Sequence, residues 1–207
     1  MTHTLSRLRR IMRGKFFRDK EVIKSIIFDF FGVICSDEYW QFVGEDKNFK
    51  SGFHRLADSV NLGKIDWQDF INEVAEETGQ DVEAVIKLYE SEKINPRLLA
   101  YVAKLHKTYK TAILTNASAD FLEPLADRLH LDRLFDEIII SSKLGIIKPD
   151  PRIFEHTLKA LDTRPAEAVF IDDISYNIEA AAELGMLTIF YENFTQMKEE
   201  LEELVKE

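Results

Sequence analysis

Polar residues interrupt the apolar runs of this chain at only a few points, and their types belong together. Asp29 ends "SIIFD", Thr115 and Asn116 end "TAILTN", and Asp172 and Asp173 end "AVFIDD". Lys148 lies in "GIIKPDPRIF", a turn leading into a helix. One Asp or Asn after a strand has an ordinary explanation, since it caps the helix that follows. The ordered set of four sites does not, because strand ends on one edge of a parallel sheet converge and can share a crevice. Three carboxylates gathered there repel one another strongly unless a cation sits among them.

The elements that must position these groups are visible in the hydrophobic pattern. "VIKSIIFDFFGVIC" reads as a buried strand, and similar runs recur at 111–116, 136–141, 168–173 and 187–192. Helical periodicity occupies 119–130, 150–161 and 175–184, with Gly185 at the C′ position of the last. Alternation of this kind indicates βαβ units and an α/β fold, a doubly wound parallel sheet covered on both faces. The expected order of the five strands is 5-4-1-2-3. Residues 36–94 break the alternation. "DWQDFINEVAEETG" and "DVEAVIKLYESEK" read as amphipathic helices, each opened by an Asp at the N-cap, and Asn95-Pro96 starts the next helix of the main body. The expected division is a basic extension over 1–22, a core of 23–35 and 95–207, and an inserted helical cap over 36–94. A last helix after Asn193 carries Met197, Leu201, Leu204 and Val205 on one face, which is expected to pack on the sheet.

The four motifs "FDFFGVI", "ILTNAS", "GIIKPDPRIF" and "VFIDDISYNIEAAAELGM", in that order, resemble the haloacid dehalogenase superfamily. The similarity covers roughly 23–35 and 95–192, and the insertion sits where that family carries its small helical cap, as in its subfamily IA. The resemblance implies a magnesium-dependent phosphoric monoester hydrolase with Asp29 as covalent nucleophile. Phosphoryl groups carry a negative shell, so a carboxylate needs charge neutralisation before it can approach. Mg2+ would be held by Asp29 and Asp173 directly, by Asp172 directly or through water, and by the backbone carbonyl of Phe31. Lys148 would neutralise the phosphate and hold Asp29 near it, while the Thr115 hydroxyl and Asn116 amide would hydrogen-bond phosphoryl oxygens. Attack by Asp29 would give an aspartyl-phosphate that water hydrolyses.

One position departs from that pattern. Phosphatases of the family usually carry a second Asp two residues after the nucleophile, which protonates the leaving group and then activates water; here the position is Phe31. Loss of such help typically costs about 10²–10⁴ in rate. Three readings follow. The first is a phosphatase whose proton work falls to Asp37, Glu38 or water, or whose leaving groups have low pKa. The second is a dehalogenase, since that branch also carries an aromatic residue there, although its fourth motif resembles Ser-Asn rather than Asp172-Asp173. The third is a slow or non-catalytic binder of a phosphate ligand.

The resemblance implies a small phosphorylated metabolite as partner, and composition argues against nucleic acid or a membrane. The net charge is −10, yet Arg7, Arg9, Arg10, Arg13, Lys15, Arg18 and Lys20 face only Asp19 in the first twenty residues, so the remainder holds 20 basic and 36 acidic residues. So acidic a body is not built for nucleic acid, and no apolar run approaches the ~18–20 residues that cross a bilayer. One cysteine, Cys35, excludes an internal disulfide and fits a reducing cytoplasm. Tyr39, Trp40, Phe42, Phe49, Phe53 and Trp67 read as cap core in preference to a substrate wall. His54, His106, His130 and His156 have no metal-ligand spacing.

Overall fold

A computed structural model describes residues 22–36, 47–91 and 93–205. Five strands, β1 Ser25–Phe28, β2 Lys110–Thr115, β3 Glu137–Ile140, β4 Ala168–Asp172 and β5 Leu187–Phe190, form one sheet in the order β3-β2-β1-β4-β5. Every pairing is parallel, and the order is the expected one read from its other edge. Ladder register aligns Phe28 with Ile113 on one side and Ile171 on the other. Asp29 and Asp172, each one residue further, therefore leave the sheet at the same level.

Period-two alternation sends the strand residues to two separate cores. Ile26, Phe28, Ile113, Val169 and Ile171 point to one face, where helices α4 (Pro96–Leu105), α5 (Ala119–Leu129) and α9 (Phe194–Val205) contribute Leu98, Val102, Leu122, Met197 and Leu201. Ile27, Ala112, Leu114 and Phe170 point to the other, against Ile153, Phe154 and Leu158 of α7 (Pro151–Ala160) and Ile178 and Ala181 of α8 (Ser175–Glu183). A one-turn helix, α6 (Ser141–Leu144), follows β3 directly. Helix starts follow capping chemistry: Asn95 accepts from the Leu98 N–H, Asp150 from Arg152, and Asn193 from Thr195 and Gln196. Gly185, with φ +95°, turns the chain out of α8 into β5.

Between β1 and α4 lies a helical unit with its own apolar cluster. Helices α1 (Lys47–Asn61), α2 (Trp67–Thr78) and α3 (Val82–Glu90) bury Phe53, Val60, Phe70, Ile71, Val74, Val85 and Tyr89 together. The chain leaves the core where Cys35 bridges Ile94 antiparallel, with the Ser36 N–H on the Lys93 carbonyl and the Asn95 N–H on that of Ile34.

Several expectations need correction. The first apolar run is strand only over Ser25–Phe28; from Asp29 to Cys35 it closes a tight loop, with the Ile34 and Cys35 N–H groups on the Phe30 carbonyl. The stretch before Asp66, read only as aromatic-rich, contains helix α1. Asp66 caps α2 through the Asp69 N–H, whereas Asp81 precedes α3 without a side-chain cap bond. Leu204 is 38% exposed and does not share the buried face of Met197 and Leu201. Residues 1–21, with the basic extension, and 37–46, with Asp37, Glu38, Tyr39, Trp40 and Phe42, lie outside the described residues, as does the side chain of Phe49. Cys35 is buried. Among the described residues no helix is long and apolar enough to cross a membrane.

Glu167, on the 3₁₀ turn before β4, pairs with Lys24 at the mouth of β1 (2.7 Å) and with Arg164 (2.8 Å). The Arg164 guanidinium first, and Lys24 after it, lower its carboxyl pKa from 4.5 to about 2. A lowered carboxyl pKa adds stability above the ordinary value and loses it as pH falls through the folded one. Glu167→Gln is therefore expected to lower Tm at pH 7, and the gap from the parent to close between pH 4.5 and about 2 in thermal scans. A gap that stays constant over that range refutes the linkage.

Candidate active site

The end of β1 sets Asp29 at the carboxyl edge of the sheet, 5% exposed, its N–H on the Ile171 carbonyl and its Oδ1 accepting from the Phe30 N–H (2.7 Å). Lys148 reaches it from the loop after β3. Its Nζ stands 2.8 Å from Asp29 Oδ1 and 2.7 Å from Asp172 Oδ2, with all three side chains at 7% exposure or less. Asp172 is the most firmly held carboxylate of the group. Besides Lys148 it accepts from the Ile174 N–H (2.8 Å) and, on both oxygens, from the Asn177 carboxamide (3.2 and 3.1 Å). Asp29, Asp172 and Asp173 each offer an oxygen within 4.8 Å of the other two.

One buried ammonium thus faces three carboxylates, and the electrostatics register the imbalance. Burial pushes the Asp29 carboxyl well above its usual range; Lys148 pulls it back, and Asp172 and Asp173 push it up further. Burial alone would lower the Lys148 pKa, but Asp172 and Asp29 outweigh it and hold the ammonium above the ordinary lysine value. The arrangement suits a divalent cation with oxygen ligands, since a second positive charge offsets the excess that Lys148 leaves.

Thr115 and Asn116 close the crevice from β2. Thr115 is fully buried, and its Oγ1 finds no hydrogen-bond partner among the described residues. A buried hydroxyl left so costs about 1–3 kcal/mol. Asn116 behaves differently. Its carboxamide donates to the Lys148 carbonyl (3.0 Å) and accepts from the Lys148 N–H (2.8 Å), clamping the lysine loop to β2.

Three contributors escaped the sequence reading. Gly32, at φ +79°, lies so close to Asp173 that a Cβ would overlap its carboxylate. Asn177, 1% exposed, orients Asp172; a polar residue on the buried side of α8 was its only signal. The Ser141 hydroxyl accepts from the Ala117 N–H (3.0 Å) and donates to the Asn61 carbonyl (2.6 Å), joining the Thr115 loop to the cap. Phe53 is buried in the cap core and half-buried Trp67 packs against it, Trp67 also meeting Phe121 of α5 (ring centroids 4.8 Å apart), and both line a cleft beside Asn116. Phe31 stacks on the same Phe121 (6.1 Å, 25°).

Comparison with known proteins agrees with this geometry. The haloacid dehalogenase-like hydrolase family matches over residues 23–185, and the chain belongs to that family. Mouse (Mus musculus) bifunctional epoxide hydrolase 2 is 36% identical over 113 residues, 53% of this chain but only 20% of that protein. The chain thus spans about a fifth of that curated relative. The D-ribitol-5-phosphate phosphatase of Bacteroides thetaiotaomicron is 26% identical over 205 residues, covering 87% of this chain and 97% of that one. Among solved structures, a family enzyme from the same bacterium, in complex with magnesium and inorganic phosphate, superposes with a TM-score of 0.68 at 20% identity, over 84% of this chain and 98% of that one. That likeness establishes the fold.

Removing one partner from a buried ionic network is costly, because the charges left behind stay desolvated. In a magnesium-free buffer Lys148→Met is expected to destabilise the protein by about 3–5 kcal/mol in urea unfolding, and a further Asp172→Asn to recover part of it. A loss below ~1 kcal/mol, typical of an exposed pair, counts against the network.

Proposed function

We propose that the chain is a magnesium-dependent phosphoric monoester hydrolase acting on a small phosphorylated metabolite, with Asp29 as nucleophile. The observation that carries the reading is Lys148 held at 2.8 and 2.7 Å between Asp29 and Asp172, with Asp173 and the buried Thr115 hydroxyl at the same edge. Asp29 and Asp173 would hold Mg2+, with Asp172 beside them or through water and the Phe31 carbonyl completing the protein ligands. The peptide containing that carbonyl runs into Gly32, whose backbone lies against Asp173. When bound, the ion supplies charge neutralisation to the phosphoryl oxygens. Lys148 directs Asp29 at phosphorus and binds an oxygen of the phosphate, and the Thr115 hydroxyl and Asn116 backbone amide bind others. Asp29 attacks in line, the ester oxygen leaves with its electron pair, and water hydrolyses the aspartyl-phosphate. The named activity of the Bacteroides phosphatase, matched over nearly its full length, supports the class of reaction. A core of 23–35 and 95–207 under a cap of 36–94, working in the cytoplasm, belongs to the same reading.

Phe31 favours a second reading, a ligand binder whose hydrolysis is slow, because no carboxyl stands two residues beyond Asp29. The dehalogenase reading loses ground to the Asp172 and Asp173 carboxylates grouped with Asp29.

Magnesium-dependent phosphate release separates these readings. Acetyl phosphate and aryl phosphates are expected to turn over with magnesium and not with EDTA, and Asp29→Asn to abolish turnover. No release from any phosphate ester, with magnesium binding retained, establishes the binder. Magnesium is expected to raise Tm by mass action, and Asp173→Asn to remove the rise.

Leaving-group dependence gives a further check. Rates are expected to fall steeply as leaving-group pKa rises. Phe31→Asp is expected to flatten that slope and raise alkyl-phosphate hydrolysis by about 10-fold or more, within the range that acid–base groups supply. Equal rates for alkyl and aryl esters in the parent refute this account of Phe31.

A further inference from the structure

Between cap and core, beside the Thr115 loop, lies a cleft of about 400 Å³, counting space open to solvent. Its walls include Phe31, Phe53, Trp67, Phe70, Tyr89 and Phe121. Among the described residues no charged side chain lines it, and the polar ones are Asn61, Tyr89, Asn116 and Ser118. The aromatic walls form a connected set. Phe121 receives Phe31 from the nucleophile loop at 6.1 Å and Trp67 from the cap at 4.8 Å, and Trp67 meets Tyr89 edge-on at 5.0 Å. Phe31 lies on the loop that follows Asp29 and Asn116 follows Thr115, so the cleft borders the loops that carry the site.

A polyol or a second charged group would enter such a cleft at the cost of its hydration, with few partners to replace the water. A flat apolar ring loses nothing there and gains offset or edge contacts with several aromatic faces. The same walls bear on the chemistry. With Phe31 beyond the nucleophile and no carboxyl among the described lining residues, a leaving group that tolerates departure as an anion, such as a phenolate, is favoured over an alkoxide.

From these two observations, and resting on the phosphatase reading above, we propose that the substrate class is the aryl phosphate monoester, with the aromatic ring seated against Trp67 and Phe121. The bond from phosphorus to the phenolic oxygen breaks as the bond from Asp29 to phosphorus forms, and the electron pair leaves on the phenolate. Water then adds to phosphorus, releases inorganic phosphate and restores the Asp29 carboxylate, its proton passing to phosphate or solvent.

Binding tests the cleft without relying on turnover. By calorimetry on the full chain with magnesium, 1-naphthylmethylphosphonate is expected to bind at least about 10-fold more tightly than methylphosphonate, as burial of one apolar ring implies. Ala57→Phe, which fills the cleft rather than emptying it, is expected to erase that preference, and Trp67→Ala to reduce it several-fold. Equal affinities for the two phosphonates, or a preference untouched by both variants, overturn the proposal. In kinetics, 1-naphthyl phosphate is expected to exceed D-ribitol 5-phosphate in kcat/KM by about 10-fold or more. The reverse order overturns the substrate class. Acetyl phosphate, small and with a leaving group of low pKa, keeps the two readings apart. If neither it nor the naphthyl ester is hydrolysed, the phosphatase reading fails, while the phosphonates still decide the cleft.

Discussion

The arrangement of the site depends on one buried ammonium. Lys148 Nζ touches Asp29 and Asp172 at the same time, with all three side chains buried. Charges so removed from solvent persist only when geometry and hydrogen bonding are nearly complete. The fold supplies both. β1 and β4 are adjacent and in register, so the two carboxylates emerge at one level. The Asn116 carboxamide fixes the backbone of the lysine itself, and Asn177 with the Ile174 N–H fixes Asp172. Strand order, loop clamp and helix α8 all act on the position of a single nitrogen.

That nitrogen settles only part of the charge. It serves two carboxylates, and Asp173 offers an oxygen within the same cluster. Gly32 belongs to this economy of space. Its missing side chain lets the loop after β1 lie against Asp173. The loop could not be continued as strand and still make that approach, which is why the apolar run after Asp29 turns back on itself.

Sheet order, both faces of the core and the residues at the strand ends were legible in the sequence, because buried parallel strands advertise themselves as apolar runs and polar residues at their ends stand out. The end of β1 was not. Phe30, Val33, Ile34 and Cys35 are buried whether the chain is strand or loop, and burial is all that hydropathy reports. Helix α1 was obscured for a related reason: "KNFKSGFHRLADSVN" carries a glycine and few apolar residues, and it packs Phe53 and Val60 into the cap. Asn116 shows the limit of reading roles from residue type. The residue was picked out as part of the site, yet its carboxamide serves the lysine loop, a fact that exists only once β2 and that loop are side by side. Asn177 and Ser141 were silent because their partners lie in other elements.

The attachment of the cap has a mechanical consequence. The unit is tied to the core at the antiparallel crossing of Cys35 and Ile94, and again where the Ser141 hydroxyl holds the Asn61 carbonyl and Gly63 rests on the Ser142 backbone, so close that a Cβ would stand 2.7 Å from its carbonyl oxygen. Among the described residues the same seam continues where Trp67 and Tyr89 meet Phe121, and a load on the cap passes through the Ser141 hydroxyl, bonded to both the Asn61 carbonyl and the Ala117 N–H, into the loop after Thr115.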